Sequence, residues 1–189
     1  MEEAAVEIAY EEGVGAVTVD RICALAMVSR STFFNYFASL DQAIFGSALE
    51  YEAAVTEPIL RAHADDLVVA ACLIVMTSVR GPADDEMTRR RFALFVREAG
   101  TASSVSWASH TSRERLVGVL ESWLHANPEH ARVPSVDAAE EARLTVELSI
   151  ALGDEVQRYA RETDGEYVIE PAIFRRIRER MAAIVRPAL

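Results

Sequence analysis

A chain of 189 residues, 51% of them hydrophobic, can bury a real core and has room for one medium domain or a small one joined to a larger one. Eight glycines and six prolines are too few for a fold of turns and strands, so the composition predicts an all-α protein. The formal net charge of −11 argues against a protein that holds nucleic acid by bulk electrostatics, and the longest apolar run, Leu67 to Met76, is too short to span a bilayer. No signal peptide is visible, and a cytoplasmic location is expected. All 19 basic residues are Arg, which reads as the codon bias of a GC-rich bacterial genome.

Ala4 to Glu12 is the first expected helix, with Ala5, Ile8 and Ala9 inward and Gly13 and Gly15 ending it. Thr18 then suits an N-cap and Asp20 a first turn, and Val19, Ile22 and Ala26 share one helical face. Met27-Val28 breaks that helix, and Ser29 can cap another in which Phe33 and Phe37, four apart, turn inward towards Val28 and Ile22. Arg30, Ser31, Thr32, Asn35 and Tyr36 are left outside. Arg pairs with guanine edges, Asn with adenine, and the Thr methyl meets thymine, while Ser29 and the free N–H groups of the helix start suit a phosphate. This is the pattern of a helix-turn-helix that reads a major groove.

Ser39 is the expected cap of a fourth helix over about Leu40–Thr56, broken by Pro58 and read as the one covalent route between two regions. Helices are predicted over about 64–79, apolar nearly all round, and 84–98, where Arg89-Arg90-Arg91 reads as a solvated face or as partners of Asp84-Asp85-Glu86. Gly81-Pro82 and Gly100 punctuate this stretch. A helix from Ser103 or Ser104 to about Ala126 is expected next, then a surface loop from Asn127 to Pro134. A long helix from Ser135 to about Arg161 carries two apolar stripes and so implies two packing partners. Asp164-Gly165 is an expected turn, and about Pro171–Val185 the last helix.

Thr18-Val19, Ile22, Ala26, Val28-Ser29, Thr32-Phe33-Phe34, Tyr36-Phe37, and Ser39 followed by Asp41 resemble the DNA-binding domain of the TetR family of bacterial transcriptional regulators, over about Ala4 to Phe45. The resemblance implies a helix-turn-helix three-helix domain, here 1–46, and a larger helical ligand-binding and dimerisation domain, 47–189, about nine helices in all. It further implies a homodimer on a near-palindromic double-stranded operator, usually repressing, released when a small effector enters the C-terminal domain. The DNA-binding residues would be Thr18, Ser29, Arg30, Ser31, Thr32, Asn35 and Tyr36. The last two long helices would form a four-helix dimer interface through Leu148, Leu152, Ile173, Ile177 and Met181.

Three departures stand out. Met27 occupies a turn position where the family usually has Gly, Leu40 stands where a Lys usually reaches a phosphate, and the family's first helix usually begins earlier, often behind a basic arm, so that a segment ahead of Met1 is expected. Residues 1–46 hold Arg21 and Arg30 against seven carboxylates, a balance of −5. A shallow salt dependence of DNA binding follows.

An effector pocket is expected to be apolar with a few polar points, with Cys72, Met76, Phe92, Phe95, Trp107, His110, Trp123 and Glu147 as candidates. Each of these also suits plain core. Cys23 fits a buried structural thiol. No cofactor, metal or catalytic spacing is present, and His63, His110, His125 and His130 are scattered. The alternatives are a TetR-like ligand-sensing or partner protein that has lost DNA binding and, third, a small helical enzyme.

Overall fold

The computed structural model describes residues 1–80, 86–98, 109–163 and 166–185. Among them ten α-helices and one two-stranded hairpin form two compact units, Met1–Leu49 with Val79–Ser109, and Glu50–Ser78 with His110–Leu189. The chain therefore passes between the units three times, and the expected single covalent route through the fourth helix is corrected. The chain returns because α7 finds its packing partners in the first unit.

In that unit α1 (Glu2–Glu12) buries Ala5, Val6, Ile8 and Ala9, and Gly13 ends it at a φ of 91°, donating its N–H to the Ala9 carbonyl. α2 (Val19–Ala26) and α3 (Arg30–Tyr36) follow, then α4 (Leu40–Phe45). α7 (Glu86–Arg97) packs on α1 and α4, burying Ala93, Leu94 and Phe95. Phe95 meets Phe45 edge-on at 6.5 Å. Arg91 fastens the three helices together, its Nε donating to the Ile44 carbonyl at 2.9 Å and its guanidinium meeting Glu2 at 3.0 Å.

The helix predicted over Leu40–Thr56 is two helices. Gly46, at a φ of +88° that only glycine adopts without strain, ends α4, and the helix resumes as α5 (Ala53–Ala62) with Pro58 inside it. Pro58 removes one N–H from the ladder of α5 without breaking it, so glycine and not proline divides this stretch.

The second unit is built from α5, most of α6 (Leu67–Arg80), α8 (His110–Ala126), α9 (Ala138–Gln157) and α10 (Pro171–Val185). Its core joins Val68 and Cys72 of α6 to Leu152 and Val156 of α9 and Phe174 and Ile177 of α10. α9 also lies along α8, where Leu116, Leu120, Val146 and Ile150 are buried. Asp137 caps α9 by accepting from the Glu140 N–H at 2.7 Å. The predicted extension of α9 to Arg161 is corrected: the helix stops at Gln157, and Arg161–Thr163 pairs antiparallel with Glu166–Val168. The expected turn at Asp164-Gly165, the breaks at Gly81-Pro82 and Gly100, and the helix start at Ser103 or Ser104 lie outside the described residues.

Candidate nucleic-acid interface

The helix-turn-helix is assembled by local capping. Thr18 Oγ1 accepts from the Arg21 N–H at 3.3 Å and opens α2, and Ser29 Oγ accepts from the Thr32 N–H at 3.0 Å and opens α3. Ser39 Oγ accepts from the Gln42 N–H while Gln42 Oε1 accepts from the Ala38 N–H, a reciprocal box that sets the start of α4. Between α2 and α3 the chain turns at Met27, which holds φ 52° and ψ 45°, the one non-glycine residue in the left-handed region among those described. That conformation costs a side-chain-bearing residue roughly 1–2 kcal/mol. Met27 is 91% exposed, so packing returns little of this cost.

Ile22 and Phe33 are fully buried and Phe37 nearly so, with the Phe33 and Phe37 rings 5.2 Å apart. This packing fixes which side of α3 faces outward. Arg30, Ser31, Asn35 and Tyr36 are exposed, Thr32 is half-buried, and Thr18 is exposed at the start of α2. Phe34, quoted in the sequence only for its resemblance, is also half exposed, its ring edge-on to Phe33 at 5.3 Å. Hydroxyls, an amide, a guanidinium and two aromatic rings therefore share the outer surface of α3 and its flanks, which is a surface able to exchange hydrogen bonds with base edges and phosphates.

Both arginines of this segment already have carboxylate partners. Arg21 forks onto Glu12, at 2.9 Å through one nitrogen, and its hydrogen bond holds the Glu12 carboxyl below the usual range. Arg30 donates to Asp20 Oδ1 at 2.7 Å. On α7, Arg90 and Arg89 meet Glu86 at 2.8 and 3.2 Å, as the sequence suggested for that end, and Arg90 also stacks over Tyr10. The hydrogen bond from Arg90, seconded by Arg89, lowers the Glu86 carboxyl.

The residues expected to share an effector pocket fall in several places. Phe92 and Phe95 belong to the first unit, the former under the Arg80 guanidinium and the latter buried against Phe45. Cys72 is in the core of the second unit, its thiol pushed up to about 12 by burial, and Met76 packs against the same core. His110 and Glu147 are corrected: both are exposed, His110 beside Glu114 at 3.5 Å and Glu147 paired with Arg113 at 3.1 Å. Trp107 lies outside the described residues. Among the seven described, Trp123 alone lines the large open cavity of the second unit. Cys23 is buried, with a free thiol.

Of the residues expected at a dimer interface, Leu152 and Ile177 are corrected as well. Both lie wholly within the core of the second unit and have no surface to offer a second copy. Ile173 and Met181 are half-buried at the edge of that core, while Leu148 is 44% exposed beside Leu144 on the outer stripe of α9. No helix among the described residues is long and apolar enough to cross a membrane.

Residues 3–42 match the family model described as bacterial regulatory proteins, tetR family. Comparison with curated proteins gives no match.

Proposed function

The chain belongs, through residues 3–42, to the TetR family of bacterial regulatory proteins, and we propose that this DNA-binding regulator is a homodimeric repressor that leaves a palindromic operator when an apolar small molecule enters its second unit. The observation that carries the reading is the outward surface of α3, where Ser29 and Thr32 are capped into place and Arg30, Ser31, Asn35 and Tyr36 face solvent over a buried Phe33. Two copies of Ser29–Tyr36 would enter successive major grooves about 34–36 Å apart. Leu144, Leu148 and Ala151 form an exposed apolar stripe on α9 that suits the same stripe on a second copy. An effector with a coupling free energy of about 1–3 kcal/mol would lower operator affinity roughly 5- to 150-fold.

A second reading, a ligand-sensing or partner protein without DNA binding, draws on the pairing of Arg21 with Glu12 and of Arg30 with Asp20 in a segment of charge −5. Footprinting on the intergenic DNA upstream of the chain's own gene, at two salt concentrations, separates the two. Protection of a palindrome supports the repressor; a folded dimer that protects nothing at low salt leaves the second unit as the seat of function.

A further inference from the structure

The hairpin of the second unit, β1 (Arg161–Thr163) paired with β2 (Glu166–Val168), encloses a cavity of about 450 Å³ with the end of α9 and the first turns of α10, within the size range of small-molecule sites. It shares no lining residue with the larger cavity between α5 and α8. Side chains alternate across a strand, and the register Arg161↔Val168 and Glu162↔Tyr167 sets Arg161, Thr163 and Val168 on one face of the hairpin and Glu162 and Tyr167 on the other. The first three line the cavity, so β1 turns its base inward and its acid away. Arg158 and Arg176 raise the guanidiniums of the lining to three, against the single carboxylate of Glu170 among the described residues. In a chain of net charge −11 this is a local excess of positive charge.

Two of the three arginines hold donors in reserve. Arg158 meets Glu155 at 3.1 Å, but neither Arg161 nor Arg176 has a carboxylate partner among the described residues. The Arg176 guanidinium lies over the Tyr159 ring, 5.2 Å from its centroid. Stacking of this kind engages the flat face of the group and leaves its in-plane N–H fork open to an oxyanion. Val168 and Ile173 add apolar wall beside these charges. We infer that this cavity binds a small organic anion, its phosphate or carboxylate head held by Arg161 and Arg176 and its apolar body against Val168 and Ile173. The inference goes beyond the proposed function and stands apart from it, since an anion at the hairpin can be measured whether or not the protein is a repressor.

The test is calorimetric titration of the full chain with phenyl phosphate, benzoate and neutral benzyl alcohol. Both anions should bind, more weakly as salt is raised, and the alcohol should not. The tighter of the two identifies the head as phosphate or carboxylate. Arg161→Gln should weaken that anion about tenfold, the lower worth of a hydrogen bond between charged groups, and Arg176→Gln by a similar factor. Glu170→Gln should tighten it, because it removes the carboxylate that repels the head. Arg143→Gln makes the same change of charge roughly 20 Å back along α9 from Arg158, outside the lining, and should leave binding unchanged. All four side chains are exposed, so each variant should fold as the parent does. No binding of either anion at millimolar concentration, parental binding by both Arg161→Gln and Arg176→Gln, or an equal loss in Arg143→Gln would each overturn the inference. Benzyl alcohol binding as tightly as the anions would overturn it as well.

Discussion

Arg30, on the first turn of α3, donates to the Asp20 carboxylate of α2 at 2.7 Å, so the one arginine on the proposed reading surface is held by an acid from the neighbouring helix. Both side chains are well exposed and the pair is easily opened, so it limits phosphate binding without blocking it. Asp20→Asn should therefore raise affinity for random DNA several-fold and steepen the slope of log K against log salt by about one, from a parental slope that is shallow for a DNA binder. Titration of a labelled duplex at four salt concentrations measures both. An unchanged slope would mean that Arg30 never reaches DNA.

Arg30→Ala and Asn35→Ala should each cost about 1–3 kcal/mol of specific binding, enough to erase a footprint obtained near the parental Kd. Neither residue is buried, so each variant should sediment as the parent does. Parental protection by either variant would remove that residue from the recognition surface.

Met27 should yield stability when replaced by glycine. Its left-handed backbone and 91% exposure mean that Met27→Gly relieves strain and loses almost no packing, offset in part by the greater freedom of glycine in the unfolded chain. A gain on the order of 1 kcal/mol is expected in urea unfolding.

Glu141 is buried and accepts from the Arg132 and Val133 N–H groups at 2.7 and 3.1 Å, tying the loop before α9 to that helix. Glu141→Ala leaves two amides without their acceptor and should destabilise the chain by about 1–3 kcal/mol. Glu141→Gln, which keeps one acceptor oxygen, should lose less.

Burial raises the Cys72 thiol from 9.0 to about 12, so the folded chain keeps its proton at pH values where the unfolded chain has lost it. The unfolded state then binds fewer protons, and stability from this group is intact below pH 9 and falls from pH 9 towards pH 12. Comparing urea midpoints of the parent and Cys72→Ala at pH 8 and pH 10 isolates the effect. The parent should lose on the order of 1 kcal/mol more than the variant between those two values.

The helix-turn-helix was legible because everything that builds it is local. Caps at Thr18, Ser29 and Ser39 act over three residues, and Phe33 and Phe37 meet over four, so sequence spacing states the geometry directly. The left-handed turn at Met27 was indicated only by the family resemblance, in which glycine usually stands at that position, and Met27 adopts it nonetheless. What sequence by itself determined, then, is a helical protein with a helix-turn-helix whose second helix is the short Arg30–Tyr36. Tertiary structure alone decided that Gly46 rather than Pro58 divides the fourth helix and that residues 79–109 return to the first unit. It also decided that Leu152 and Ile177 serve the core, and that Tyr51 and Trp123 line one cavity. Apolar periodicity marks a face as buried but carries no address for its partner. Which helices meet depends on contacts tens of residues apart, whose energies are set only once the whole core is packed.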